Sequence, residues 1–211
     1  MEESSPSGWS YPLAPGLVLR TRRPPPGAGA GVRVILVRSC EAFPPSHPTT
    51  RLCLDLLREA LAPGPVPSLL DVGCGCGVLS LAASVLGVLR VVGVDIASEA
   101  ARVTWENARE NGLAGGIMVA QGSTECVKAR FDLVAANLPW EVQMDKAPEL
   151  HRLAGAKGRL LLSGFRDSQE QSLRELYQKL GRSLKRRVDK DFAHPELPPG
   201  ISFNWVAWLL A

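Results

Sequence analysis

The chain has 211 residues, 45% of them hydrophobic and 21% charged, the balance of one globular domain with enough length to bury a core without disulfide or metal staples. The 24 Lys and Arg stand against 21 Asp and Glu, a surplus too small to demand a polyanionic partner. No apolar run reaches the roughly 18 residues of a membrane span and no basic-then-apolar signal opens the sequence, so a cytoplasmic protein without membrane contact is expected.

Residues 1–45 read as a flexible leader. The first 31 are rich in Ser, Pro and Gly and close on "RPPPGAGAG" (Arg23–Gly31), a composition that resists packing. A short strand is expected at Gly16–Arg20, pairing with the β-branched run "VRVILV" (Val32–Val37). The folded domain is expected over residues 46–211. It begins after the proline-stiffened "FPPSHPTT" (Phe43–Thr50), where Thr49 or Thr50 is positioned to cap a helix with leucines 52, 56, 57 and 61 on one face.

From there strands and helices alternate. Strands are predicted at Ser68–Val72, Arg90–Val94, Ile117–Ala120, Phe131–Ala136 and Arg159–Ser163, and helices at Val78–Leu86, Ser98–Asn111, Val142–Leu153 and Asp167–Leu180. Runs such as "VVGV" and "DLVAA" lack polar alternation, as strands buried on both faces of a parallel sheet do. Two last strands, Leu184–Phe192 and Ser202–Leu210, are joined by a link short enough to make them antiparallel. The predicted fold is α/β: a doubly wound, Rossmann-like, mostly parallel seven-stranded sheet ending in an antiparallel strand pair.

In such a sheet, ligands bind beyond the carboxyl ends of the strands. There the sequence places Asp71 and the glycines Gly73, Gly75 and Gly77 of "LLDVGCGCGVLS", then Asp95, then Ser123 of "QGS", then Asn137. A dinucleotide fingerprint requires G-x-G-x-x-G, but Val78 stands where the third glycine belongs and the glycines run G-x-G-x-G. A carboxylate at Asp71 is badly placed beside a pyrophosphate and well placed for an ammonium. Asp95 can accept from ribose hydroxyls under either reading. The phosphate-free nucleoside S-adenosylmethionine meets these requirements better than NAD, with a tight turn that binds nothing as the plainer alternative. Cys74 and Cys76 read as small residues of the turn rather than metal ligands, because no second Cys or His pair stands at ligand spacing, and the five cysteines fit free thiols in a reducing compartment.

These stretches resemble the class I S-adenosylmethionine-dependent methyltransferases, and most of all the PrmA-type ribosomal-protein lysine methyltransferases. The similarity runs through "HPTTRLCL" (His47–Leu54), "LLDVGCGCGVLSLAA" (Leu69–Ala83), "VVGVDI" (Val91–Ile96), "NARENG" (Asn107–Gly112), "DLVAANL" (Asp132–Leu138) and "LLLSGFRDSQ" (Leu160–Gln169). By that resemblance Thr50, Gly73, Asp95 and Asn137 contact the cofactor, and lysine or α-amino nitrogen of a protein is the methyl acceptor. Ile96 is placed to pack on the adenine and Ser123 stands where the class places an acid. Two features depart from the family: "FPPS" replaces a glycine-rich loop before "HPTT", and about 46 residues stand where a substrate-docking domain is usual.

The reacting end is "NLPW" (Asn137–Trp140). An amide oxygen at Asn137 can accept an acceptor nitrogen's hydrogen and so aim its lone pair, while Pro139 stiffens the turn. Trp140 either stacks on a planar or cationic acceptor or is core beneath the strand end. "GRSLKRRVDK" (Gly181–Lys190) could touch RNA phosphates but reads better as a solvated edge strand. Asn107 and Asn111 read as helix surface and helix end, His47 as loop structure, and His151 and His194 as surface. An RNA base or small molecule as acceptor, and a non-catalytic or NAD-dependent protein, stay open as alternatives to a protein substrate.

Overall fold

Seven strands, β4 (Ser68–Val72), β5 (Arg90–Asp95), β6 (Ile117–Gln121), β7 (Leu133–Asn137), β8 (Arg159–Arg166), β9 (Leu184–Phe192) and β10 (Phe203–Leu210), form one sheet in the order β6-β5-β4-β7-β8-β10-β9 in the computed structural model. β4 to β8 pair in parallel, and β10 runs antiparallel to both β8 and β9. The structure describes residues 8–25, 31–40, 43–192 and 203–211. The predicted "AHPELPPG" link and His194 lie outside them.

The terminal hairpin is as expected, and within it β10 lies between β8 and β9. Burial explains the order. The last five residues of β10 are buried, whereas β9, "LKRRVDKDF", carries the charges that suit a sheet edge.

Successive strand residues feed opposite layers. Leu69, Leu161 and Leu209 join the core beneath α1 (Pro48–Leu61), α2 (Val78–Val85) and α3 (Ser98–Glu110). Leu70, Leu160 and Trp208 join the core beneath α4 (Trp140–Ala154) and α5 (Glu170–Lys179). A period of two with both faces apolar is what a doubly covered sheet demands. Each fully buried leucine contributes roughly 1.5–3 kcal/mol to this sandwich.

The amino-terminal segment is more structured than its composition implied. A second sheet, ordered β1-β2-β3, is built from β1 (Ser10–Ala14), β2 (Leu17–Arg20) and β3 (Arg33–Leu36). The pairing of β2 with β3 was expected, and it is parallel. β1 was not expected. Its signal is Pro15-Gly16, a turn in which Gly16 takes φ 70°. Tyr11, Leu13, Leu19, Ile35 and Val37 are buried in the same core as α1, and the Tyr11 hydroxyl donates to Asp55 on that helix at 2.5 Å.

The free edge of this small sheet is closed by side-chain amides from α3. Asn111 Oδ1 accepts the Leu36 N–H at 2.8 Å and Asn111 Nδ2 donates to the Leu36 carbonyl at 2.8 Å. Asn107 does the same for Arg38, at 3.0 Å each way. Asn111 also ends α3 before Gly112 at φ 69°, as expected. Asn107, however, is fully buried and not a surface residue. Two amides one helical turn apart act here as a strand, because each offers a donor and an acceptor to the exposed backbone.

Candidate active site

At the carboxyl ends of β4, β5 and β7 lies a cleft of about 370 Å³ lined by Thr50, Asp71, Gly73, Gly75, Asp95, Ile96, Ser123 and Asn137, with Phe43, Leu138, Val142 and Lys146. That is within the roughly 300–1,000 Å³ of small-molecule sites. It sits where the strand order reverses about β4, the switch point of a doubly wound sheet. Eight of the predicted site residues therefore meet in one cavity. Gly77 and Trp140 are not among its lining residues.

The glycine loop is left-handed at all three positions, with φ of 70° at Gly73, 55° at Gly75 and 80° at Gly77, values an L side chain rarely takes. A Cβ on Gly73 would overlap the Leu138 side chain, and one on Gly77 would overlap Thr104. Gly75 faces open space and lets backbone approach a ligand. Gly77 instead packs the loop onto α3, with the Thr104 hydroxyl donating to the Gly75 carbonyl at 2.8 Å and Asn107 Nδ2 to that of Cys76 at 2.8 Å. Thr104 and Asn107 were missed as site supports. Their spacing on α3 carries only an amphipathic signal, and the loop they hold is distant in sequence.

Asp71 is 2% exposed. Its Oδ2 accepts the backbone N–H of Ser80 at 3.0 Å and the Ser80 hydroxyl at 2.7 Å. Ser80 is the third residue of α2, so a carboxylate occupies the helix end that would otherwise attract an anion. Burial pushes the Asp71 carboxyl up to about 6, the Ser80 bonds pull it back, and the Asp95 charge adds to the rise. Asp95 spans the loop and the following turn: Oδ2 accepts from Gly75 N–H at 2.9 Å and Oδ1 from Ala97 N–H at 2.9 Å. Each of its oxygens retains lone-pair capacity toward the cleft. Ile96, next to it, is 76% exposed at the cleft wall, an apolar face that α/β packing does not cover.

Asn137 ends β7, and its Oδ1 is buried without a hydrogen-bond partner among the described residues, a costly state unless a ligand completes it. The following turn is held by Leu138 N–H, which donates to the Ser163 carbonyl at 3.0 Å. Trp140 instead packs partly buried against the core of α4 and α5, with its indole N–H buried and without a partner among the described residues. Of its two readings, the core one matches this position.

Thr50 lies in the first turn of α1 and is not its cap. His47 caps the helix, its Nδ1 accepting the Thr49 N–H at 3.3 Å, with Pro48 at the first helical position. Burial lowers the His47 pKa, which keeps the ring neutral and able to accept. The ring packs 4.6 Å from Phe43 and 5.2 Å from Trp205, so the cap also props Phe43 at the cleft.

The basic segment is largely engaged. Arg182 is only 5% exposed and donates to the carbonyls of His151, Gly155 and Gly158 around the end of α4, where a cation is favoured. Its Nε also donates to His151 Nδ1 at 3.0 Å. Arg186 pairs with Glu59, and Arg187 with Glu170. Arg182 therefore leaves the surface cluster that the sequence suggested. Among the described residues no helix is long and apolar enough to cross a membrane, and none of the five cysteines is in a disulfide.

This architecture is the methyltransferase fold. A ribosomal protein L11 methylase from Lactobacillus delbrueckii subsp. bulgaricus shares it at a TM-score of 0.75 and 24% identity, over 94% of this chain and 96% of that one. So does the magnesium protoporphyrin IX methyltransferase of Synechocystis PCC 6803, solved with S-adenosylmethionine bound, at a TM-score of 0.61, 20% identity and coverage of 76% and 78%. The family model for ribosomal protein L11 methyltransferase (PrmA) matches residues 43–192, and the chain belongs to that family. The L11 methyltransferase of Sorangium cellulosum is 40% identical over 156 residues, 74% of this chain and 49% of its own length. That of Syntrophotalea carbinolica is 45% identical over 128 residues, 60% and 41% respectively. The chain thus spans about half the length of these curated relatives.

Proposed function

We propose that the cleft binds S-adenosylmethionine and that the chain transfers its methyl group to a nitrogen of a protein. Ribosomal protein L11, for which the relatives are named, is the first acceptor to test. The observation that carries the cofactor assignment is Asp71 on Ser80: the α2 terminus is already filled by a carboxylate. A pyrophosphate would meet two acids, Asp71 and Asp95, where a dinucleotide site offers free N–H groups. An ammonium and a ribose meet the same acids favourably.

In this reading Asp71 faces the ammonium, with Thr50 near the methionyl end. Gly73 and Gly75 admit the backbone to close approach, Asp95 accepts from the ribose hydroxyls, Ile96 covers one adenine face and Ser123 stands at its edge. When bound, the cofactor supplies an electrophilic methyl carbon on a sulfonium. Asn137 Oδ1, buried and unpartnered, accepts an N–H of the acceptor and fixes its lone pair toward that carbon. A lysine acceptor has an ordinary pKa near 10.4. It loses its proton on entering a buried site beside a positive charge, so positioning supplies most of the catalysis. A cytoplasmic setting accords with the free thiols.

Calorimetric titration with S-adenosylmethionine, S-adenosylhomocysteine and NAD tests the cofactor. Binding of NAD with no response to the other two overturns the reading. Methyl-labelled cofactor offered with L11, and with lysate digested by protease or by RNase, tests the acceptor. Label that resists protease and is lost to RNase removes the protein substrate.

A further inference from the structure

Gln143 lies on α4, does not line the cleft and is fully buried. Its Nε2 donates to the carbonyls of Ser163 at 2.5 Å, Ala136 at 3.3 Å and Leu138 at 3.4 Å. Those carbonyls come from β8, from the residue before Asn137 and from the residue after it. A surface-facing role or a plain core role would not draw three backbone acceptors around one amide nitrogen. An apolar residue of similar volume would fill the space without the cost of burying an amide.

The turn that Gln143 grips is the one that joins the two halves of the site. Leu138 packs on Gly73, where a Cβ would overlap it. The Leu138 backbone also presses so closely on Gly164 that any side chain there would strike it. Leu138 N–H and Gln143 Nε2 share the Ser163 carbonyl. The reacting amide Asn137 therefore has its neighbours held from β8, from the glycine loop and from α4 at once.

We infer that Gln143 is a positioning residue for methyl transfer: it clamps the Asn137–Pro139 turn, so that Asn137 stays in the cleft wall with its Oδ1 left without a hydrogen-bond partner among the described residues. This rests on the proposed methyltransferase reading for its catalytic consequence, though the clamp itself does not. A glutamine suits the place because its two N–H groups are shared among these carbonyls, the Ser163 carbonyl nearest. Glutamate of the same shape would oppose them with charge.

The test compares Gln143→Glu, Gln143→Leu and Gln143→Asn with the unsubstituted chain in two independent measurements. In hydrogen exchange, Gln143→Glu and Gln143→Leu speed the Leu138 amide by about tenfold or more, the scale of one lost hydrogen bond, with amides of β4 and β5 unchanged. With L11 as acceptor, kcat falls about a hundredfold, as for a reacting group misplaced by an ångström, while the dissociation constant for S-adenosylhomocysteine changes little. Gln143→Asn, which keeps the donor on a shorter stem, recovers part of the exchange protection and part of kcat. Faster exchange throughout the chain, or no change at Leu138, overturns the clamp. Loss of cofactor affinity equal to the loss of kcat makes Gln143 a structural residue and overturns its positioning role. If the unsubstituted chain neither binds S-adenosylhomocysteine nor methylates L11, the functional reading fails and the Leu138 exchange alone decides the clamp.

Discussion

Asp95 Oδ2 accepts the backbone N–H of Gly75 at 2.9 Å, so the acid that ends β5 also holds the loop that follows β4. The carboxylate fixes the glycine backbone and lines the cleft with lone-pair capacity to spare. A variant at Asp95 should therefore be felt in binding more than in fold stability, since the residue is only partly buried.

Asp95→Ala is expected to weaken S-adenosylhomocysteine binding by about 1.5–3 kcal/mol, the range for hydrogen bonds to a charged group. Isothermal titration checks it. Unchanged affinity would remove Asp95 from the site.

Asp71 links the cleft to pH. Its folded pKa is raised from 3.8 to about 6 by burial, so between these values the folded chain binds more protons than the unfolded one. Its contribution to stability is fully present below the lower value and is lost as pH rises through the upper. Cofactor binding runs the other way, because an ammonium prefers the ionised acid, and affinity should fall as pH drops below 6. Affinities measured from pH 5 to 8 check this, with Asp71→Asn expected to lose both dependences. An Asp71→Asn profile that matches the wild type would contradict it.

Asn137→Ala should lower kcat far more than it weakens cofactor binding, if its amide oxygen holds the acceptor as proposed. Steady-state kinetics with separately varied cofactor and L11 distinguish the two effects, and the reverse pattern would make Asn137 a cofactor contact only.

Asn107→Leu should destabilise the chain by at least about 2 kcal/mol, since it strands the Cys76 carbonyl and both backbone groups of Arg38 in or near the core. The shift in urea midpoint measures it. A neutral outcome would mean that water replaces the amide.

Trp140→Phe should leave turnover nearly unchanged and cost little stability, because it keeps the ring in the α4–α5 core and deletes an N–H that has no partner. A large loss of kcat with unchanged unfolding would restore Trp140 to the acceptor site.

The strands from Ser68 to Ser163 were legible because an apolar run bounded by glycine or acid permits few other structures. The meeting of Asp71, Asp95 and Asn137 in one cleft was legible for a related reason: they stand in or at the ends of strands, and strand ends in a parallel sheet converge. Trp140 was ambiguous, since a shift of one or two residues along a helix turns a side chain from cleft to core and the pattern around it does not say which. Thr104 and Asn107 were illegible as supports because each bonds to backbone far from it in sequence, and Gln143 because the turn it grips is set against β8 only in the fold.

What the sequence determined by itself was the doubly wound sheet, the departure of the glycine loop from a dinucleotide fingerprint and the grouping of Asp71, Asp95 and Asn137, all consequences of periodicity and of where residues fall relative to strand ends. Only the tertiary structure decided that Asp71 caps α2 through Ser80, that β10 lies inside β9, and that the amides of α3 finish the small sheet. Those arrangements depend on which unsatisfied backbone and side-chain groups meet across the fold, and hydrogen-bond partners are chosen by proximity in space.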